Sequence, residues 1–216
     1  MEDLNELGIK AMQQGDFKEA AAHFSKAIEE NPLDSVPYIN FANLLSSFQE
    51  KEKALRFYEK AIELDPKAAT AYYGAGNVYY NDEKYDQAKI MFENALANKL
   101  EHGDLFFMLG MSLVHLEQPR LAIPYLQRAV ELNELDVDAR FQWGLCLANL
   151  ELLDEAIKQL EKVTELDENY ADAYYNLGVA FAYKDQGEKA LNMLNKAIEV
   201  QPDHVLALHA KKMLTK

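Results

Sequence analysis

The sequence predicts an all-α fold, a solenoid of tandem antiparallel helical hairpins, and a repeated joint is the first reason. Ala27 to Pro32 reads A-I-E-E-N-P, Ala61 to Pro66 reads A-I-E-L-D-P, and Ala197 to Pro202 reads A-I-E-V-Q-P. Ala27 and Ala61 lie 34 residues apart, and Ala197 follows Ala61 by four such periods. A fixed period of this length marks units that bury their apolar faces only against neighbours. The second reason is register. Blocks of 34 residues starting at Met1 divide the chain without an insertion into 1–34, 35–68, 69–102, 103–136, 137–170 and 171–204. The third is that apolar and small residues within each block recur at spacings of three, four and seven, the period of a helix with one packed face.

Taken in order, each block holds two such runs. The third gives Tyr72, Ala75, Gly76 and Tyr79, then Ala88, Phe92 and Ala95; the sixth gives Tyr174, Leu177, Gly178 and Phe181, then Ala190, Leu194 and Ala197. A polar turn separates the runs, as in Gln14-Gly15-Asp16, Asn81-Asp82-Glu83 and Asp185-Gln186-Gly187. Glycine inside a helix costs about 1 kcal/mol relative to alanine. Gly8, Gly76, Gly110, Gly144 and Gly178 at one register therefore imply close packing, met by Ala20, Ala54, Ala88, Ala122, Ala156 and Ala190 on the second run. Trp143 stands at a core register, and its truncation to alanine is expected to cost about 3–5 kcal/mol. Pro124 falls well inside the second run of the fourth block, where a missing N–H predicts a kink or a delayed helix start. Residues 205–216, with Val205, Leu206, Leu208, Met213 and Leu214, then Lys211, Lys212 and Lys216, read as a C-terminal capping helix with cations at its negative end.

These residues resemble the tetratricopeptide repeat (TPR). Its signature sets a large residue, Leu-Gly and an aromatic on the first helix, then Ala, an aromatic, Ala and a closing Pro on the second. The first block matches with Leu4, Leu7, Gly8, Ala20, Phe24, Ala27 and Pro32. Ala42 replaces the glycine of the second block, and Leu100, Glu134 and Glu168 stand in for the closing proline of the third, fourth and fifth. The resemblance implies a right-handed superhelix whose first helices line a concave groove.

Composition narrows the partners. Of 216 residues, 22 are Lys or Arg and 36 are Asp or Glu, a net charge of −14. So acidic a chain argues against nucleic acid and anionic membrane surfaces, which need basic patches. The single cysteine, Cys146, permits no intrachain disulfide and fits a reducing compartment. The start, Met1-Glu2-Asp3-Leu4, lacks the basic and apolar regions of a signal peptide, and no run is long enough to span a membrane. A cytoplasmic setting is expected.

Given the groove that the resemblance implies, its face uses roughly the second, fifth, sixth, ninth and twelfth residues of each block, one step around from the packed face. The second block supplies Ile39, Asn40 and Asn43; the third, Tyr73, Asn77 and Tyr80; the fourth, Phe107, Met108 and Met111. The fifth supplies Phe141, Gln142 and Leu145, and the sixth Tyr175, Asn176 and Val179. Tyr73, Phe107, Phe141 and Tyr175 make an aromatic row that either meets a ligand or packs against neighbouring first helices. An amide pairs with the C=O and N–H of an extended peptide, a role the resemblance implies for Asn40, Asn43 and Asn77. Solvated surface residues are the alternative. Asp104, Asp138 and Asp172 open three consecutive blocks, as helix-start acids or as an acidic edge for ligand Lys or Arg. Family members that clamp a terminal carboxylate use Lys and Arg at the second, fifth and sixth residues, and none of those positions is basic here. Capture of an acidic C-terminal tail by that clamp is not expected.

No catalytic set emerges. His23, His102, His115, His204 and His209 occupy different registers and read as surface histidines, and Cys146 reads as a small core residue. No glycine-rich phosphate loop, metal-ligand spacing or cofactor motif is present. The reading is a non-catalytic adaptor that binds extended peptides, apolar or aromatic with basic flanks. The alternative is a self-associating scaffold for larger folded partners, with weak homo-oligomers possible.

Overall fold

A computed structural model describes residues 3–215; Met1, Glu2 and Lys216, the last assigned above to the closing helix, lie outside the described residues. Among the described residues there are thirteen α-helices and no strand. They divide between two compact units, residues 1–101 and 102–216.

The first unit holds α1 (Leu4–Gln13), α2 (Phe17–Glu30), α3 (Ser35–Ser47), α4 (Lys51–Leu64), α5 (Ala69–Asn81) and α6 (Tyr85–Ala97). The second holds α7 (Gly103–His115), α8 (Pro119–Leu132), α9 (Val137–Asn149), α10 (Leu153–Leu166), α11 (Ala171–Tyr183), α12 (Gly187–Val200) and α13 (Val205–Leu214). Within each unit an odd-numbered helix packs on the helix after it as a hairpin, and successive odd-numbered helices touch.

Capping chemistry sets the ends. Asp3, Asp16, Asp34 and Asp136 each accept a backbone N–H from the helix they precede, satisfying donors that a helix start leaves orphaned. His102 and His204 do the same through Nδ1, for Leu105 and Ala207. The hairpin turns share one device. The fifteenth residue of every block, Gly15, Gln49, Glu83, Glu117, Glu151 and Asp185, has a positive φ between 56° and 80°. The next residue then returns its N–H to the carbonyl five back, as Asp16 does to Ala11 at 2.9 Å and Leu152 to Leu147 at 3.0 Å. This is the left-handed closure that ends a helix and reverses the chain.

The core confirms the close approach and shows what approaches. A Cβ on Gly8 would lie 2.4 Å from the Phe24 ring, and one on Gly76 2.5 Å from the Phe92 ring. The ring or branched side chain at the 24th residue thus fills the space that the eighth leaves. Ala42 departs from glycine because Tyr58 leans elsewhere. Its ring occupies the space over Gly74, 2.4 Å from where a Cβ would stand, and its hydroxyl donates to Asn43 Oδ1 at 2.5 Å.

Three expectations change. Helix α8 begins at Pro119 and runs unbroken through Pro124, so its start is not delayed. Pro124 is exposed, and only the Arg120 carbonyl lacks its donor, on a side that water reaches. Trp143 is only partly buried, beside Arg140 in an open cleft of about 410 Å³ between α9 and α10. Its Nε1 has no acceptor among the described residues. His204 is buried rather than superficial, 5% exposed, because it caps α13 and reaches Asp172 at 3.1 Å through Nε2.

Candidate functional site

The expected groove residues fall on the odd-numbered helices, six in the first unit and twelve in the second. In the first unit, α1, α3 and α5 lie side by side. Ile39 is 7% exposed and belongs to the core with Ala42, Tyr58 and Val78, so it offers no surface to a ligand. Asn40 donates to Asn5 Oδ1 at 2.9 Å, linking α3 to α1. Asn43 is exposed, but its oxygen accepts the Tyr58 hydroxyl. Burial pushes the Tyr58 pKa up, so that bond persists to high pH. Two of the three amides therefore serve the chain itself. Asn77 is partly buried, and its side-chain amide makes no hydrogen bond among the described residues. Tyr73 lies 5.9 Å from the Phe92 ring, and Tyr80 meets Tyr85 edge-on at 5.4 Å.

In the second unit, Phe141 is 6% exposed and packs on Tyr170 at 4.8 Å. Tyr175 packs on His204 at 5.3 Å. The fifth residue of these two blocks meets the residue that caps the next first helix, so Phe141 and Tyr175 cement one hairpin to the next. Phe107, Met108, Met111 and Gln142 remain partly exposed on α7 and α9. Asn176 turns its amide onto its own helix, donating to the Asp172 carbonyl at 2.7 Å. Asp138 accepts the Tyr170 hydroxyl at 3.3 Å, and Asp172 meets His204. Burial, reinforced by Asp138, pushes the Tyr170 pKa up to about 12. Asp104, Asp138 and Asp172 are all exposed.

An open space lies beside Gln142, a cavity of about 540 Å³. Val114, Glu117 and Pro119 form one wall, from the end of α7 to the start of α8. Gln142, Leu145, Cys146 and Asn149 form the other, along one stripe of α9. Gln142 and Leu145 were expected on this face; Val114, Glu117, Pro119 and Asn149 were not singled out, and Cys146 was taken for core alone. Cys146 is 3% exposed, and burial pushes its thiol up to about 11, so it presents a neutral sulfur. Among the described residues no group of three His, Cys, Asp or Glu is placed to hold a metal ion, and no helix is long and apolar enough to cross a membrane.

Comparison with known proteins agrees with this architecture. TPR repeat models match residues 49–82 and 152–187, tetratricopeptide repeat models match 1–34 and 171–204, and a model of anaphase-promoting complex, cyclosome, subunit 3 matches 85–163. The chain is similar to the crystal structure of YrrB, a TPR protein with an unusual peptide-binding site, at 67% identity and a TM-score of 0.86. That match covers 88% of this chain and 97% of the YrrB chain. The TPR repeat-containing protein YrrB of Bacillus subtilis (strain 168) is also matched at 66% identity over 41 residues, 19% of this chain and 20% of that protein. An Hsp70-Hsp90 organising protein of Plasmodium falciparum is 42% identical over 52 residues, 24% of this chain and 21% of that protein. The chain thus spans about a fifth of the length of these curated relatives in their matched stretches. MamA shares the fold at 23% identity and a TM-score of 0.74, over 78% of this chain and 92% of that one. Thirteen helices in hairpin register, the glycine and alanine contacts and a relative covered almost end to end lead to one conclusion: the chain belongs to the tetratricopeptide repeat family.

Proposed function

We propose that this protein is a non-catalytic adaptor that binds an extended peptide, apolar or aromatic with basic flanks, along the first helices of its hairpins. The cavity beside Gln142 carries the reading. It is an open space between two first-helix surfaces, with amides at its rim and apolar residues at its floor, the usual composition of a recognition pocket. An amide such as Gln142 pairs with a ligand backbone, while Phe107, Met108 and Met111 offer partly exposed apolar surface on α7. Asp104, Asp138 and Asp172 add an exposed acidic edge that favours basic flanks. Kinship with YrrB, whose crystal structure is described by a peptide-binding site, supports the same reading. Residues 1–204 are read as six 34-residue units and 205–216 as a capping helix, and one buried cysteine suits a cytoplasmic setting.

The test is retention of capped hexapeptides from a mixed library by the immobilised full chain. A paired Phe107→Ala and Gln142→Ala variant should retain them about tenfold less, matching roughly 1–3 kcal/mol for a lost polar contact. Equal retention by both proteins refutes the groove.

A scaffold that associates with itself is the second reading, favoured by the apolar exposure of α13, where Val205 is 74%, Leu206 56% and Met213 60% exposed. Light scattering that reports a tight dimer, lost in Val205→Lys with Met213→Lys, would favour it over the adaptor.

A further inference from the structure

The cavity differs from its counterparts in the two units in one respect. Where one hairpin meets the next, the first residues of the even-numbered helix face the end of the following odd-numbered helix. Between α2 and α3 this cleft is plugged by Phe17 and Phe48, edge-on at 5.0 Å. Between α4 and α5 it is closed by Lys51 and Asp82, 2.8 Å apart. Between α10 and α11 it is closed by the ion pair of Asp154 and Lys184. Between α8 and α9, Leu150 stands at the register of Phe48, Asp82 and Lys184; an aliphatic residue there can form neither a ring contact nor an ion pair, and beside it the cavity opens.

Its electrostatics are one-sided. Glu117 is the only acidic or basic residue of the lining, and its side chain makes no ion pair among the described residues. The turn fixes its position: its φ is 57°, its N–H bonds the Val114 carbonyl at 3.0 Å, and the N–H of Gln118 bonds that of Leu113 at 2.9 Å. Below it, Val114, Leu145 and the neutral thiol of Cys146 make an uncharged floor. An unpaired carboxylate over an apolar floor suits a side chain with a methylene stem and a cationic tip.

We propose that this cavity takes one lysine or arginine side chain of a bound peptide, with Glu117 pairing its tip. The ligand thereby brings to this cleft an ion pair of the kind that Lys51 and Asp82 make within the chain, with the carboxylate supplied from the hairpin turn. This inference rests on the peptide-binding reading and assigns to one position of the ligand a basic residue.

The experiment uses four libraries of capped hexapeptides, identical except for a central Lys, Arg, norleucine or Glu, on immobilised full-length chain. The wild type should retain the Lys and Arg libraries about fivefold more than the norleucine library, the range of a partly exposed ion pair. Glu117→Gln should bring the preference within twofold, with total norleucine retention unchanged. Pro119→Lys, which places a lysine beside Glu117 on the same wall, should abolish the preference while the urea midpoint read by Trp143 fluorescence stays that of a folded unit. Equal retention of the Lys and norleucine libraries by the wild type, or a preference that survives in Glu117→Gln, overturns the inference and leaves the peptide-binding reading standing. No retention of any library by the wild type overturns both.

Discussion

The six hairpin turns predict a stabilising substitution at an exposed turn position. Glu151 is exposed and sits in the left-handed region at φ 60° between α9 and α10. An L-residue there bears roughly 1–2 kcal/mol of steric cost. Glycine relieves that cost but loses about 0.5–1 kcal/mol more conformational entropy on folding. The difference favours Glu151→Gly by about 0.5–1 kcal/mol. Trp143, the only tryptophan, lies on α9 of the same hairpin, so its fluorescence reports the unfolding of this region directly. With a urea slope of about 2 kcal/mol/M, the midpoint should rise by about 0.3 M. Glu151→Ala removes the same charge but keeps the strained φ, so it should leave the midpoint nearly where it was. The mirror experiment is Gly15→Ala, where φ is 80° and an added Cβ meets nothing within 4 Å. Only backbone strain acts there, and the loss should be of similar size, followed by circular dichroism. An unchanged or lower midpoint in Glu151→Gly, or a rise shared by Glu151→Ala, would refute the reasoning.

The remaining predictions concern the first unit. The Lys51 and Lys84 ammoniums, in that order, hold the Asp82 carboxyl at a pKa of about 2, below its usual 3.8. A depressed carboxylate adds stability above its unfolded pKa and loses it as pH falls through the folded value. Asp82→Asn should therefore flatten the fall in unfolding midpoint between pH 4 and pH 2, and an undiminished acid slope would discount the pair. Gly74→Ala drives a Cβ into the Tyr58 ring at 2.4 Å and should cost about 1–3 kcal/mol by overpacking. In a Tyr58→Leu background the same change should cost clearly less, a coupling that a double-mutant cycle in urea measures.

Period, hairpin order and turn positions were legible because each depends on residues close in sequence. Gly8 opposite Phe24 and Gly76 opposite Phe92 are consequences of one register repeated. The two-sided burial of the first helices was harder to read. The third residue of successive blocks, as at Ala71, Leu105, Ala139 and Ala173, and the tenth, as at Leu44, Val78, Ser112 and Cys146, are buried. Tyr38, Tyr72 and Arg140, at the expected core register, are only partly so. A helical period identifies one apolar stripe, whereas an inner solenoid helix is covered by its own hairpin partner and by the neighbouring hairpins as well. Ile39 and Phe141 were assigned to an open face because only one covering neighbour was considered.

Asn40 and Asn43 show a related limit. Residue type says what an asparagine is able to bond, and its partner decides what it does. Asn40 is held by Asn5 35 residues away and Asn43 by Tyr58 15 away, pairings that cross a hairpin or a block and leave no trace in a single-face pattern. The cavity, by contrast, had a sequence signal of a kind that single registers miss. Phe17 with Phe48 and Lys51 with Asp82 are both pairs 31 residues apart, and each is chemically matched. At the same offset Pro119 and Leu150 are not matched, whereas between α10 and α11 the match is made one residue further on, by Asp154 with Lys184. In a repeat protein neighbouring blocks carry comparable contacts at comparable registers, so a register whose residue cannot make the contact its equivalents make, as at Leu150, is where the chain leaves room for something else to complete it.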